Sequence, residues 1–158
     1  MTVWRKFVVG AVGALSILGA MAAPVGADGK GDSLIAFESM TPVGHPPTTE
    51  RGIAGGGAAW SITSASGSVD RQGDVSVTVK GLIVTVLGRN PIGTFQAVVS
   101  CVTPDGVVNV ETGSAAASGA GDSTINATVD LPHPCKDPVV FVGGSPGGNF
   151  IWFAKTSS

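Results

Sequence analysis

Five consecutive residues, Gly143-Gly144-Ser145-Pro146-Gly147, match the G-x-S-x-G string of a nucleophile elbow. In that motif a strained strand-to-helix turn presents a serine to a general base. The chemistry needs a strand before the serine, a helix after it and a histidine as base. Residues 149–154 (NFIWFA) read as a strand, and no histidine follows Ser145. The string is therefore expected to be a glycine-rich turn. The only histidines, His45 and His133, each precede a proline. A Ser-His-Asp triad does not depend on chain order, but nothing marks one serine among many, and no catalytic residue is assigned.

Metal chemistry is equally poorly supplied. His133 and Cys135 form an H-x-C pair that zinc or copper would accept only with a reduced cysteine. Asp70 and Asp74 flank a turn, without the D-x-D-x-D-G ligand series of a calcium loop. No metal and no cofactor is expected. Glycoside hydrolysis needs two carboxyl groups set across one sugar bond; Glu38 and Glu50 both lie toward the N-terminal side. Sugar-binding faces also favour exposed aromatics, and the chain has no tyrosine. Trp60, Trp152, Phe150 and Phe153 are expected in the core. Phe150 and Trp152 would share one face of their strand, with Ile151 and Phe153 on the other. That pattern fits either a strand covered on both sides or an exposed aromatic patch. Asn126-Ala127-Thr128 is a glycosylation sequon.

Cys101 and Cys135 are the only cysteines, 34 positions apart. They lack the C-x-x-C spacing of a redox pair. In an oxidising compartment they are expected to form a disulfide, worth roughly 3.5–4 kcal/mol in the chain-entropy treatment. The start of the chain points to such a compartment. Trp4-Arg5-Lys6 is a short positive region, residues 7–23 are apolar and small, and Val25-Gly26-Ala27 is a small-residue cleavage site. This is the order of a secretory signal peptide. Residues 1–27 are read as that signal and residues 28–158 as a single domain. Ala20-Met21-Ala22 offers a second cleavage site, and an uncleaved anchor is the rival reading.

The elements that must position these groups are strands. Residues 28–158 contain 17 valines and only 4 leucines, with abundant serine and threonine. β-branched side chains suit a pleated surface, and the good helix formers are scarce. No window repeats apolar residues at helical spacing. Residues 33–37 read as a first strand, and residues 58–63 as a short one bearing Trp60. Val75, Val77 and Val79 alternate with Ser76, Thr78 and Lys80, the period of a half-buried strand. Arg71-Gln72-Gly73 reads as the turn joining this strand to the one before it. Residues 82–87 are expected to form an apolar strand. Residues 93–102 alternate again, with Phe95, Ala97, Val99 and Cys101 inward. Pro104-Asp105-Gly106 turns the chain into residues 107–112. Residues 113–122 (GSAAASGAGD) read as a mobile loop or a weak edge. Residues 123–131 place Ile125, Ala127, Val129 and Leu131 inward. Residues 139–142 and 149–154 complete the domain.

Together these features predict an all-β fold, an antiparallel sandwich or small barrel of about eight or nine strands, immunoglobulin-like in general architecture. Nine basic residues, less Arg5 and Lys6, against eleven acidic ones give a net charge of −4 after cleavage. No basic cluster exists, so nucleic acid is not an expected partner. Nor does the chain offer a basic amphipathic face for a membrane once the signal is removed. The expectation is a secreted, non-enzymatic β domain that binds an extracellular ligand or protein or has a structural role. The alternatives are a small secreted hydrolase whose site assembles only in the fold, and a β-barrel carrier of a small apolar ligand.

Overall fold

Alternating valines need a surface on which one face is dry, and the chain supplies it by pairing strands distant in sequence. The computed structural model describes residues 33–157, so the signal-peptide reading of residues 1–27 lies outside the described residues. All regular structure here is β, and the fold is a sandwich of antiparallel sheets. Eight segments have five or more residues: β1 (Ser33–Phe37), β6 (Ser64–Asp70), β7 (Asp74–Lys80), β9 (Thr94–Thr103), β10 (Gly106–Glu111), β12 (Ser123–Thr128), β13 (Lys136–Gly144) and β14 (Ile151–Lys155). Six are two residues long: β2 (Thr41–Pro42), β3 (Thr49–Glu50), β4 (Ile53–Ala54), β5 (Trp60–Ser61), β8 (Ile83–Val84) and β11 (Ala115–Ala116).

One sheet has the order β1-β6-β7-β12; the other has the order β10-β9-β13-β14-β2, with β11 also paired to β9. Among the described residues no ladder joins the two sheets, which makes a closed barrel the wrong alternative. The inner face of the first sheet carries Ala65, Val69, Val75, Val77, Val79 and Ile125, all buried. Opposite it lie Phe95, Ala97, Val99, Cys101, Val140 and Val142 of the second sheet. The β6–β7 turn closes at Gly73, whose φ of +91° suits only glycine without strain. A Cβ there would also run into the Val129 carbonyl oxygen.

The second sheet departs from simple alternation. Val98 and Ser100, on the face of β9 expected to meet water, are buried, as are Val139, Phe141 and Trp152 beside them. The β3–β4 hairpin covers this face. Glu50 holds Lys155 on β14 in an ion pair of 2.8 Å, and Asn109 on β10 donates its Nδ2–H to the Arg51 carbonyl at 2.9 Å. Gly56 N–H donates to the Trp152 carbonyl and continues the strap along β14. β9, β13 and β14 are therefore covered on both sides, which explains their continuous apolar runs.

One expectation is corrected, and another resolves to one of its two alternatives. Residues 82–87 do not form a strand: only Ile83 and Val84 pair, and the chain then turns. Leu87 and Gly88 N–H both bond to the Val84 carbonyl, and Gly88 has φ +63°. The turn leaves Val86 84 % exposed and Leu87 51 % exposed. Residues 113–122 are a weak edge rather than a free loop. Ala115 pairs with Phe95, Ala117 N–H bonds to Gly93, and Asn90 N–H bonds to Gly119.

Candidate functional site

The cysteines sit where the bridge requires them. β9 carries Cys101 on its buried face, and Cys135 immediately precedes β13, the neighbour of β9. The two form a disulfide with Cα atoms 4.8 Å apart. With Cys135 oxidised, the H-x-C pair has no thiolate to offer a metal. His133 borders a small pocket of about 100 Å³ with Leu34, Arg71, Leu131, Pro132, Pro134 and Cys135. Among the described residues neither a serine nor a carboxylate lines it. Ser145 lies in the β13–β14 turn and donates its hydroxyl to Gln96 Oε1 at 2.9 Å, an amide that cannot act as a base. A strand, β14, follows it instead of a helix. Among the described residues no three His, Cys, Asp or Glu side chains converge on a common point.

Trp60, Trp152 and Phe153 are buried, as expected, and Phe150 is half-buried. Trp60 stacks on Phe153 with centroids 3.9 Å apart, and Phe95 meets Phe153 edge-on at 6.0 Å. On the strap side Phe141 tilts against Trp152 at 6.0 Å. The reading of β14 as a strand covered on both sides holds, and the exposed patch does not exist. Ser100 Oγ, Trp152 Nε1 and Arg51 Nη1 are buried without a hydrogen-bond partner, and all three belong to this strap-covered layer.

A concave surface lies on the outer face of the four-stranded sheet. Period-two alternation turns every second residue of β6, β7 and β12 outward, and register aligns them across the strands. Asn126 lies opposite Ser76, Ser76 opposite Ser68, and Ser68 opposite Ala36. Thr124, Thr78 and Ser66 form the next row, and Thr128 lies opposite Asp74. Ser76 donates to Asn126 Oδ1 at 3.0 Å, and Thr128 donates to Asp74 Oδ1 at 2.6 Å. Asp70 caps the turn, its Oδ1 accepting the Gln72 and Asp74 N–H groups, each at 2.9 Å. The result is a trough of about 670 Å³, lined among others by Ser33, Ser68, Asp70, Asp74, Ser76, Asn126 and Thr128.

The trough's lining side chains stand on paired strands, and two pairs of them, Ser76 with Asn126 and Thr128 with Asp74, are tied to each other. Its only charges are the two aspartates, whose Oδ1 atoms are engaged within the sheet. It therefore offers hydroxyl groups, one amide and carboxylate acceptors. Of Asp70 and Asp74, weighed in the sequence as a calcium pair, Asp70 caps the turn and Asp74 accepts from Thr128, and both line this face. Sequence reading missed the trough because Ser68 and Asn126 become neighbours only through β7. Comparison with protein families, with characterised proteins and with solved structures returns no match.

Proposed function

We propose that the chain is an exported, non-enzymatic β-sandwich domain, immunoglobulin-like in general architecture, that binds a polar extracellular ligand or protein surface. The binding face in this reading is the trough on the four-stranded sheet. The observation that carries it is the lining: seven polar residues on β6, β7, β12 and the start of β1, interspersed with Ala36, Val69, Val75 and Ala127. A site of hydroxyls, an amide and two carboxylates favours a neutral hydroxyl-rich partner or a cationic one over an anion. Export is supported by the signal-like residues 1–27 and by the Cys101–Cys135 bridge, a bond typical of oxidising compartments. Among the described residues no helix is long and apolar enough to cross a membrane.

The test is a calorimetric titration of the mature chain with a panel of neutral oligosaccharides and polyamines, repeated with Ser76→Arg. Ser76 is exposed at the middle of the trough, so arginine fills the space and repels a cation without touching the core. Binding by the native chain that Ser76→Arg abolishes supports the reading. Absence of binding across the panel, or equal binding by both chains, contradicts it.

A further inference from the structure

The small pocket beside His133 is built by three segments far apart in sequence. Leu34 comes from β1, Arg71 from the β6–β7 turn, and residues 131–135 (LPHPC) from the connection between β12 and β13. Leu131 is buried, and Leu34, Pro132 and Cys135 are half-buried, whereas Arg71 and His133 are exposed. The floor is therefore apolar, and the rim carries a guanidinium and an imidazole.

Both rim residues stand on a held backbone. Pro132 and Pro134 flank His133, and each proline ring fixes its own φ. Cys135 is bridged to the buried Cys101. Arg71 sits in a turn closed by the Gly73 N–H on the Asp70 carbonyl and by the Asp70 carboxylate on two further N–H groups. Val129 N–H donates to the Gly73 carbonyl at 2.9 Å, which ties that turn to the start of the His133 loop. The ion pairs among the described residues are Lys80–Asp122 and Glu50–Lys155, so Arg71 has no carboxylate partner there.

We propose that this pocket binds a carboxylate end group. Size limits the ligand: the volume is about 100 Å³. That is the space of about three waters, well below the roughly 300–1,000 Å³ of a site for a whole small molecule. Charge sets its sign, because the lining holds one permanent cation and no anion. Geometry selects the anion. The two oxygens of a carboxylate match the planar fork of a guanidinium, and an imidazole has an N–H to donate in either protonation state. The further oxygens of a phosphate would face Leu34, Leu131 and Pro132 unpaired, at a desolvation cost. The carbon that bears a carboxylate instead packs against those same walls. This pocket shares no lining residue with the trough, so either reading can fail without the other.

The experiment is a nuclear magnetic resonance titration of the labelled mature chain, read at the His133 ring and the Arg71 side chain. The probes are propanoate, propanamide, inorganic phosphate, and N-acetyl-dialanine as free acid and as amide, each to about 100 mM, since so small a ligand binds in the millimolar range. Propanoate and the dipeptide acid should give saturable shifts at both residues, and the two amides should not. Arg71→Gln, at an exposed turn position, should weaken carboxylate binding at least about tenfold, the size of one lost charged hydrogen bond, with the remaining amide spectrum unchanged. Tighter binding of the dipeptide acid than of propanoate identifies a polypeptide C-terminus as the source, and the reverse order a small free acid. The proposal is overturned by carboxylate shifts that do not saturate, by propanamide matching propanoate, by phosphate binding tighter than either carboxylate, or by native affinity in Arg71→Gln.

Discussion

Removing the disulfide is the perturbation whose size the structure sets most closely. Cys101 is fully buried on β9, and Cys135 ties down the segment that enters β13, whose register slips between Lys136 and Val139. The bridge closes a loop of 34 positions. Closing a loop of that length removes about 12.6 cal/mol/K from the unfolded chain, or about 3.8 kcal/mol at 25 °C. That is a large part of the 5–15 kcal/mol on which a domain of this size usually rests. The replacement must not add a second effect. A serine at 101 would bury a hydroxyl among apolar side chains and cost about 1–3 kcal/mol more. Cys101→Ala with Cys135→Ser is therefore the appropriate variant. Urea unfolding followed by circular dichroism and tryptophan fluorescence should show a loss of about 3–4 kcal/mol. The slope should be steeper, because the unbridged unfolded chain exposes more surface. The folded spectrum should be unchanged. A loss below about 1 kcal/mol with the same slope would refute the constraint. Equal stability for alanine and serine at 101 would refute the dry setting of that position.

Three smaller perturbations probe other parts of the sandwich. Gly73→Ala should cost at least about 1–2 kcal/mol, from the positive φ alone, with the Val129 carbonyl adding to it; thermal unfolding reads the shift. Ser100→Ala should be neutral or stabilising by about 1 kcal/mol, because its hydroxyl has no protein partner; a loss above 2 kcal/mol in urea would mean that the hydroxyl is bonded. Glu50→Gln should lower stability by no more than about 1 kcal/mol, and the difference should shrink in 1 M salt, since Glu50 is 38 % exposed.

Where one face of a strand is wet, the chain announces its structure. Val75, Val77 and Val79 alternate with polar residues, and β7 follows that pattern as read. The Arg71-Gln72-Gly73 turn was legible from local turn chemistry, and the Cys101–Cys135 bridge because the chain has only these two cysteines. Val98 and Ser100 were not. Their burial depends on a strap some fifty residues upstream in sequence, and alternation cannot report a cover supplied from elsewhere. The run at 82–87 misled in the opposite way: its apolar residues look like a strand, yet the Val84 carbonyl closes a turn that leaves Val86 and Leu87 in water. The trough was legible only as separate polar faces, because the chain does not state that β12 pairs with β7 or β1 with β6.

The most direct test of binding at the four-stranded sheet is amide chemical-shift mapping of isotope-labelled mature chain with the ligand class that calorimetry retains. Shifts should concentrate on β6, β7 and β12, centred on Ser68, Ser76 and Asn126, and be lost in Ser76→Arg. Shifts gathered instead around His133 or the Ser145 turn would contradict it.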